Sequence, residues 1–184
     1  MRLPTAVSLS SALLLLVLAP DAGAQGGRRP APAAEILAAR QAFTAGIAAV
    51  SRNPSAFLQE ARATPGCSVV LTSSRVDGAD SLHESQTFEA GLSWSAPRMS
   101  IAPSGGVIIF TYVNTKGAEV ARESRRAPRE PAVPTTTTGV APTVAGKGRD
   151  LTLLVAETSQ QADVVALTAA WAALVRACGG EVAP

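Results

Sequence analysis

The chain has 184 residues, of which 47% are hydrophobic, 16% charged and only 4% aromatic, and its formal net charge at pH 7 is +2. This length suits a single domain. So small a charge indicates neither an acidic tail nor a protein that binds polyanions over its whole surface. The basic residues are not interleaved with aromatic ones, so no nucleic-acid partner is predicted.

The N-terminus has the pattern of a secretory signal peptide (1–24). Arg2 supplies a positive charge, an apolar run follows at 12–19, and Ala22 and Ala24 fit the small-residue cleavage pattern. The run is too short to cross a bilayer, and no later segment has the ~20 consecutive apolar residues that a spanning helix needs. We predict cleavage after Ala24, a periplasmic or secreted location and no membrane span in the mature chain. An uncleaved anchor is the alternative.

A flexible arm (25–33) and an N-terminal helical segment (34–64) are predicted next. Apolar residues such as Phe43 recur at spacings of three and four, which is typical of a helix with one buried face. Asn53–Pro54 then fits an N-cap followed by proline in the first turn. This pattern predicts a second, short helix with Phe57, Leu58 and Ala61 on its buried side.

The rest of the chain (65–184) predicts a β-rich domain with a C-terminal helix. Alternating and β-branched stretches predict five or six antiparallel strands, with "VIIFTYV" (107–113) the strongest and "AEVARESR" (118–125) its partner across the turn "NTKG". The segment 125–149 is rich in Pro, Thr and Gly, so it predicts a long mobile loop.

The last helix is the clearest element of the sequence. Thr158 and Gln161 have the spacing of a capping box, and Gly179–Gly180 supply a C-terminal stop. One face carries the apolar residues Val164, Leu167, Trp171, Leu174 and Cys178. The elements together predict an α+β fold, in which an antiparallel sheet or a partly open barrel is closed by this amphipathic helix and preceded by one or two N-terminal helices.

This layout resembles a pleckstrin-homology-like barrel, in which the last helix caps one open end. The stretches "CSVVLTSS", "FEAGLSW" and "DLTLLVAETSQQADVVALTAAWAALVRACGG" are also similar to small exported bacterial domains of unknown function. Pleckstrin-homology domains that bind phosphoinositides use basic residues in the first strand-to-strand loop. The matching loop here, "RVDGAD" (75–80), has one arginine and two aspartates, so the resemblance does not imply binding of lipid phosphates.

The two cysteines leave three interpretations open. Cys67 and Cys178 are the only thiols of a chain bound for an oxidising compartment, which favours a disulfide between them. Two buried, unpaired thiols are the second interpretation. The third is a thiol-dependent enzyme or hydrolase in which His83, the only histidine, activates Cys67. Two thiols and one imidazole cannot complete a four-ligand zinc site, so no metal is predicted.

A candidate ligand surface combines one indole with the basic residues that precede and enter the predicted loop. Its members are Trp94, Arg122, Arg125, Arg126 and Arg129. An exposed indole would mark a recognition surface, although a core or sheet-edge position for Trp94 is the commoner setting. Basic residues attract anionic envelope polymers or lipid head groups.

The sequence has no cofactor fingerprint and no catalytic constellation. It therefore predicts a non-enzymatic exported binding or interaction domain, whose partner is a protein or an anionic envelope component. The thiol-dependent enzyme is one alternative, and a structural envelope protein is the other.

Overall fold

A computed structural model describes residues 29–51, 57–64, 66–77, 80–102, 105–117, 120–128 and 143–183. The predicted signal peptide (1–24) lies outside the described residues. In chain order the elements are α1 (Ala33–Val50), β1 (Phe57–Ala63), β2 (Ser68–Asp77), β3 (Asp80–Glu89), β4 (Ser93–Trp94), β5 (Arg98–Ile101), β6 (Val107–Val113), β7 (Val120–Pro128), β8 (Val144–Gly148), β9 (Asp150–Ala156), α2 (Gln161–Ala177) and β10 (Glu181–Val182).

The strands form two main antiparallel sheets. The large sheet has the order β1-β2-β3-β7-β8, and the small sheet has the order β5-β6-β9. A short parallel pair, β4 with β10, lies beside them. The predicted α+β class is confirmed, with α1 before the strands and α2 near the end. The described strands are not closed into a barrel, so of the two predicted arrangements the open sheet is the one that forms.

The predicted second helix of the segment 34–64 is wrong, because residues 57–63 form β1. Burial alternates along β1: Phe57, Gln59 and Ala61 are buried, whereas Leu58 and Glu60 are exposed. β1 pairs with β2 along its whole length. Phe57 and Ala61 therefore lie on one face of a strand, which has a period of two, and the predicted burial of Leu58 is wrong because it lies on the other face.

The predicted loop 125–149 is wrong at both ends. Residues 125–128 belong to β7 and residues 144–148 form β8, whereas residues 129–142 lie outside the described residues. The predicted pairing of "VIIFTYV" with "AEVARESR" is also wrong, since β7 pairs with β3 and β8 while β6 pairs with β5 and β9.

The turn after β6 explains why β7 does not fold back onto it. Asn114 accepts a hydrogen bond from the Lys116 amide at 2.9 Å through its side chain. The Asn114 amide in turn donates to the carbonyl of Arg149, and the Thr115 amide donates to the carbonyl of Ser93, both at 2.9 Å. The turn is thus held by β4 and by the corner before β9, and the chain leaves the small sheet for the large one.

The main core gathers around Trp171 of α2. Its ring centroid lies 5.2 Å from that of Tyr112, 5.5 Å from that of Trp94, and 5.6 Å from those of Phe43 and Phe88. These four partners belong to β6, β4, α1 and β3. One side chain therefore packs against both main sheets and the other helix, and the predicted core position of Trp171 is confirmed.

The two helices pack closely at Gly46. A Cβ atom at this position would lie 3.1 Å from Cδ1 and 3.2 Å from Cα of Leu167, so only a glycine allows this approach without a shift. By length and composition alone α1 could cross a membrane. Its buried residues Phe43, Ile47 and Val50 lie in the core that it shares with α2.

The predicted disulfide between Cys67 and Cys178 is confirmed. Their Cα atoms are 5.7 Å apart, within the range that a disulfide spans, and the bond links residues 111 positions apart. It joins the start of β2 to the end of α2. The adjoining corner is tight, because a Cβ atom at Gly91 would lie 2.5 Å from the carbonyl oxygen of Cys178. Disulfides persist in oxidising compartments, so this bond and the apolar N-terminus favour an exported protein.

Removing the disulfide is expected to lower the free energy of unfolding by about 4 kcal/mol, because a loop this long restricts the unfolded chain strongly. The measurement is urea unfolding of the oxidised protein against a variant with both Cys67→Ala and Cys178→Ala. As a control, reductant should destabilise the oxidised protein and leave the variant unchanged. Equal stability of the two proteins would contradict the prediction.

Burial of Tyr112 raises its pKa from 10.0 to about 12. The folded protein therefore keeps this proton at a pH where the unfolded chain has lost it, so stability falls as the pH rises from 10 towards 12. The expected loss is about 3 kcal/mol for two pKa units. Tyr112 is the only tyrosine, so tyrosinate absorbance reports it directly. A native-state midpoint near that of the protein in denaturant would refute this prediction.

Candidate anion-binding cleft

The structure does not bring the residues of the predicted thiol site together. Both cysteines are held in the disulfide, which leaves no thiolate for catalysis or metal binding. His83 is exposed and pairs with Ser74 on β2, six residues beyond Ser68, which follows Cys67. At 3.3 Å per residue this places His83 about 23 Å along the strand from Cys67. Neither residue can act directly on the other.

The predicted ligand surface is divided by the structure. Trp94 is only 1% exposed and packs edge-on against Phe88, so it belongs to the core and is no recognition surface. Because side chains alternate along β7, Arg122 and Arg126 occupy one face of the large sheet and Arg125 the other. Arg125 is opposite His83 on the outer face.

Of the last two members of the predicted surface, only Arg126 is among the described residues. Arg126 lies at the end of the β2–β3 hairpin, where its guanidinium is 3.8 Å from the carboxylate of Asp80. Arg129 lies outside the described residues. Arg125 lines a hollow on the outer face of the large sheet and Trp94 lines one beside β4 and β10, whereas Arg122 lines the cleft between the two main sheets.

This cleft has a volume of about 460 Å³. One wall is the inner face of the large sheet, where register places Arg75, Glu84, Gln86, Arg122 and Ser124. The other wall is the face of the small sheet turned away from the helices, with Ser100, Ile109, Thr111, Thr152 and Leu154. Clefts of this size between elements are the usual setting of small-molecule sites.

The floor of the cleft is formed where β9 crosses the large sheet. β9 is an edge strand, and its outward amide and carbonyl groups have no partner among the described strands. Side chains of three different strands bind these groups in turn. Arg122 of β7 donates to the carbonyl of Asp150, and Gln59 of β1 accepts from the amide of Leu154 at 3.0 Å.

Gln86 of β3 makes the central contact of this floor. Its side-chain amide forms the pair of hydrogen bonds that a neighbouring strand would otherwise form with Thr152. Its Nε2 donates to the carbonyl of Thr152 at 3.1 Å, and its Oε1 accepts from the amide of Thr152 at 2.9 Å. Both peptide groups would otherwise be unpaired at a buried edge, which is costly. The order β7, β3, β1 along β9 shows that β9 runs across these strands and separates the helix-covered core from the cleft.

Positive charge in the cleft is left partly uncompensated. The Nε atoms of Arg75 and Arg122 are buried and have no hydrogen-bond partner in the described part of the chain. Arg122 uses its Nη2 on Asp150 and on the Thr152 hydroxyl, which fixes the guanidinium in place. Glu84 supplies the opposing charge from β3, at a diagonal register position to both arginines. Two guanidinium groups thus face one carboxylate.

No family model matches the chain, and no curated protein or solved structure is significantly similar to it. The resemblance to pleckstrin-homology-like domains stays a prediction. A fold alone would not define an activity in any case, so the chemistry of the cleft has to carry the functional assignment.

Substituting Gln86→Leu is expected to lower the free energy of unfolding by about 2–4 kcal/mol, because it leaves two buried peptide groups of Thr152 unpaired. The amide of Thr152 should also lose its protection from hydrogen exchange. Thr87→Leu is the matched control: it is the next residue and exposed on the outer face, so its effect should stay within about 0.5 kcal/mol. An unchanged Thr152 amide in the Gln86→Leu variant would contradict the proposed floor.

Proposed function

We propose that this protein is a non-enzymatic binding domain of the periplasm or the extracellular space, and that the cleft between its two main sheets is its ligand site. The observation that carries the proposal is that Arg75 and Arg122 line one cleft and that each has a buried Nε without a partner among the described residues. A buried donor without a partner costs stability unless a bound molecule or water satisfies it.

The walls of the cleft support binding because they are strands rather than loops. Arg75 is held between Phe57 and Leu82 by register on both sides, and Arg122 is held between Gln86 and Gly146. Groups fixed in this way need little reordering when a ligand arrives. The disulfide adds to this rigidity by tying α2 to the large sheet.

The chemistry of the lining favours recognition over catalysis. Guanidinium, hydroxyl and amide groups predominate among the described lining residues, and they serve well as hydrogen-bond partners. The groups that most often act as nucleophile and base are placed elsewhere: the thiols are bridged, and His83 is on the outer face of the sheet. An anionic component of the cell envelope remains the expected ligand.

The test is to fill the cleft. Ser100→Trp places a large side chain on the cleft face of β5, whereas Met99→Trp, the matched control, places it on the opposite face of the same strand, where Met99 is 71% exposed. The exported full chain is titrated with neutral sugars, acidic sugars, amino acids and short peptides while backbone amide shifts are followed by NMR.

We expect at least one of these compounds to shift the amides of cleft residues such as Arg75 and Thr152. Binding of that compound should be lost in Ser100→Trp and kept in Met99→Trp. The proposal fails if no compound shifts the cleft amides, or if binding survives in the filled variant.

A further inference from the structure

We infer that the cleft selects a singly charged, carboxylate-bearing ligand and that Arg75 is its anchoring residue. This inference rests on the proposed function, which it deepens by naming the ligand class. Two sources share the chemistry of a carboxylate next to hydroxyl or amide groups: an acidic sugar and the C-terminal end of a short peptide. The experiment below separates them.

Arg75 is the guanidinium with its donors still available. It makes no hydrogen bond or ion pair with any other described residue, and because its Nε is buried, its two Nη groups are the donors left for a ligand. A guanidinium binds a carboxylate through two parallel N–H donors, a geometry that lysine cannot supply. Arg122, by contrast, already uses Nη2 for the floor. Its role is a fixed positive charge beside the carboxylate that Arg75 holds.

The charge balance of the cleft favours a monoanion. Of the charged residues that line the cleft, Arg75, Arg122 and Glu84 face inward, whereas strand alternation places Glu123 on the outer face of the sheet, so one negative charge on the ligand restores neutrality. A dianion, such as a phosphate monoester, would leave an excess negative charge close to Glu84, in a partly enclosed site where solvent screens it poorly. A cationic ligand would be repelled by the two guanidinium groups. Glu84 is therefore a specificity residue that disfavours dianions.

The remaining lining suits the neighbouring part of such a ligand. The hydroxyl groups of Ser100, Thr111 and Ser124 can each donate and accept a hydrogen bond. Ile109 and Leu154 add apolar surface on the small-sheet wall. A sugar ring or a peptide backbone presents this mixture of polar edges and apolar faces, whereas a bare carboxylate such as acetate uses only the anchor.

Calorimetric titration of the exported full chain tests the inference with matched probes. Glucuronate is compared with its neutral methyl ester, and N-acetyl-dialanine with its C-terminal amide; a sugar phosphate supplies the dianion. We expect one of the two acids to bind and its neutral partner to bind at least about tenfold more weakly, because a charge-assisted bidentate bond is lost. Whichever acid binds identifies the source of the carboxylate.

Single substitutions test the role of each charged residue in binding. Arg75→Gln should weaken binding of the acid roughly 10- to 100-fold and leave binding of the neutral partner unchanged. Arg125→Gln, on the outer face of the same sheet, is the control and should have no effect. Glu84→Gln should tighten binding of the acid and narrow the gap between the acid and the sugar phosphate.

The outcomes separate this inference from the proposed function. Equal binding of acid and neutral partner, or an unchanged acid affinity in Arg75→Gln, overturns the inference while cleft binding stands. If nothing shifts the cleft amides, both fail. If Arg75→Gln does not fold, the acid and neutral pairs in the unaltered chain and the Glu84→Gln variant still decide, because tightening by Glu84→Gln requires a negatively charged ligand in the cleft.

Discussion

The contact on which the rest of the structure depends is the packing of Trp171 against four other aromatic rings. Its partners come from α1, from β3 of the large sheet, from β4 and from β6 of the small sheet. The described strands of the two main sheets share no backbone ladder, so buried side chains have to hold them together. An aromatic ring that touches every layer does this with a large apolar area and few side-chain torsions to fix.

The cleft is a consequence of how the two sheets meet. The small sheet packs its Phe110 and Tyr112 face on the helices and crosses the large sheet with the edge of β9. Had a fourth strand of the small sheet paired with that edge, the hollow beside it would be closed. Gln59 and Gln86 satisfy the edge with side-chain amides instead, so the backbone is paired while the space between the sheets stays open.

Much of the fold could be predicted from local patterns, whereas strand pairing could not. The stripe on α1, the strands β2, β6 and β9, and the last helix all bury residues at the period that the sequence shows. The prediction for β1 was wrong because its apolar residues also fit a helical face. The burial of Gln59 on this strand is explained only by its hydrogen bond with the amide of Leu154, which is distant in the sequence. The expected capping box does not form: α2 begins at Gln161 without a side-chain cap, and Ser159 donates to the carbonyl of Val50.

The candidate site was only partly predictable for the same reason. Basic residues near 122–129 stand out in the sequence as a charged surface, but strand alternation sends Arg122 and Arg125 to opposite faces, and only register shows that Arg75 joins the first of them. A signal was present in polar residues at inward positions, since Gln59, Ser73 and Gln86 are buried on strands that also bury apolar groups. Charge divided between two faces attracts long polymers weakly, whereas two arginines on one cleft wall suit a small anion. The proposed recognition of such an anion therefore depends more on local geometry than on the small net charge of the chain.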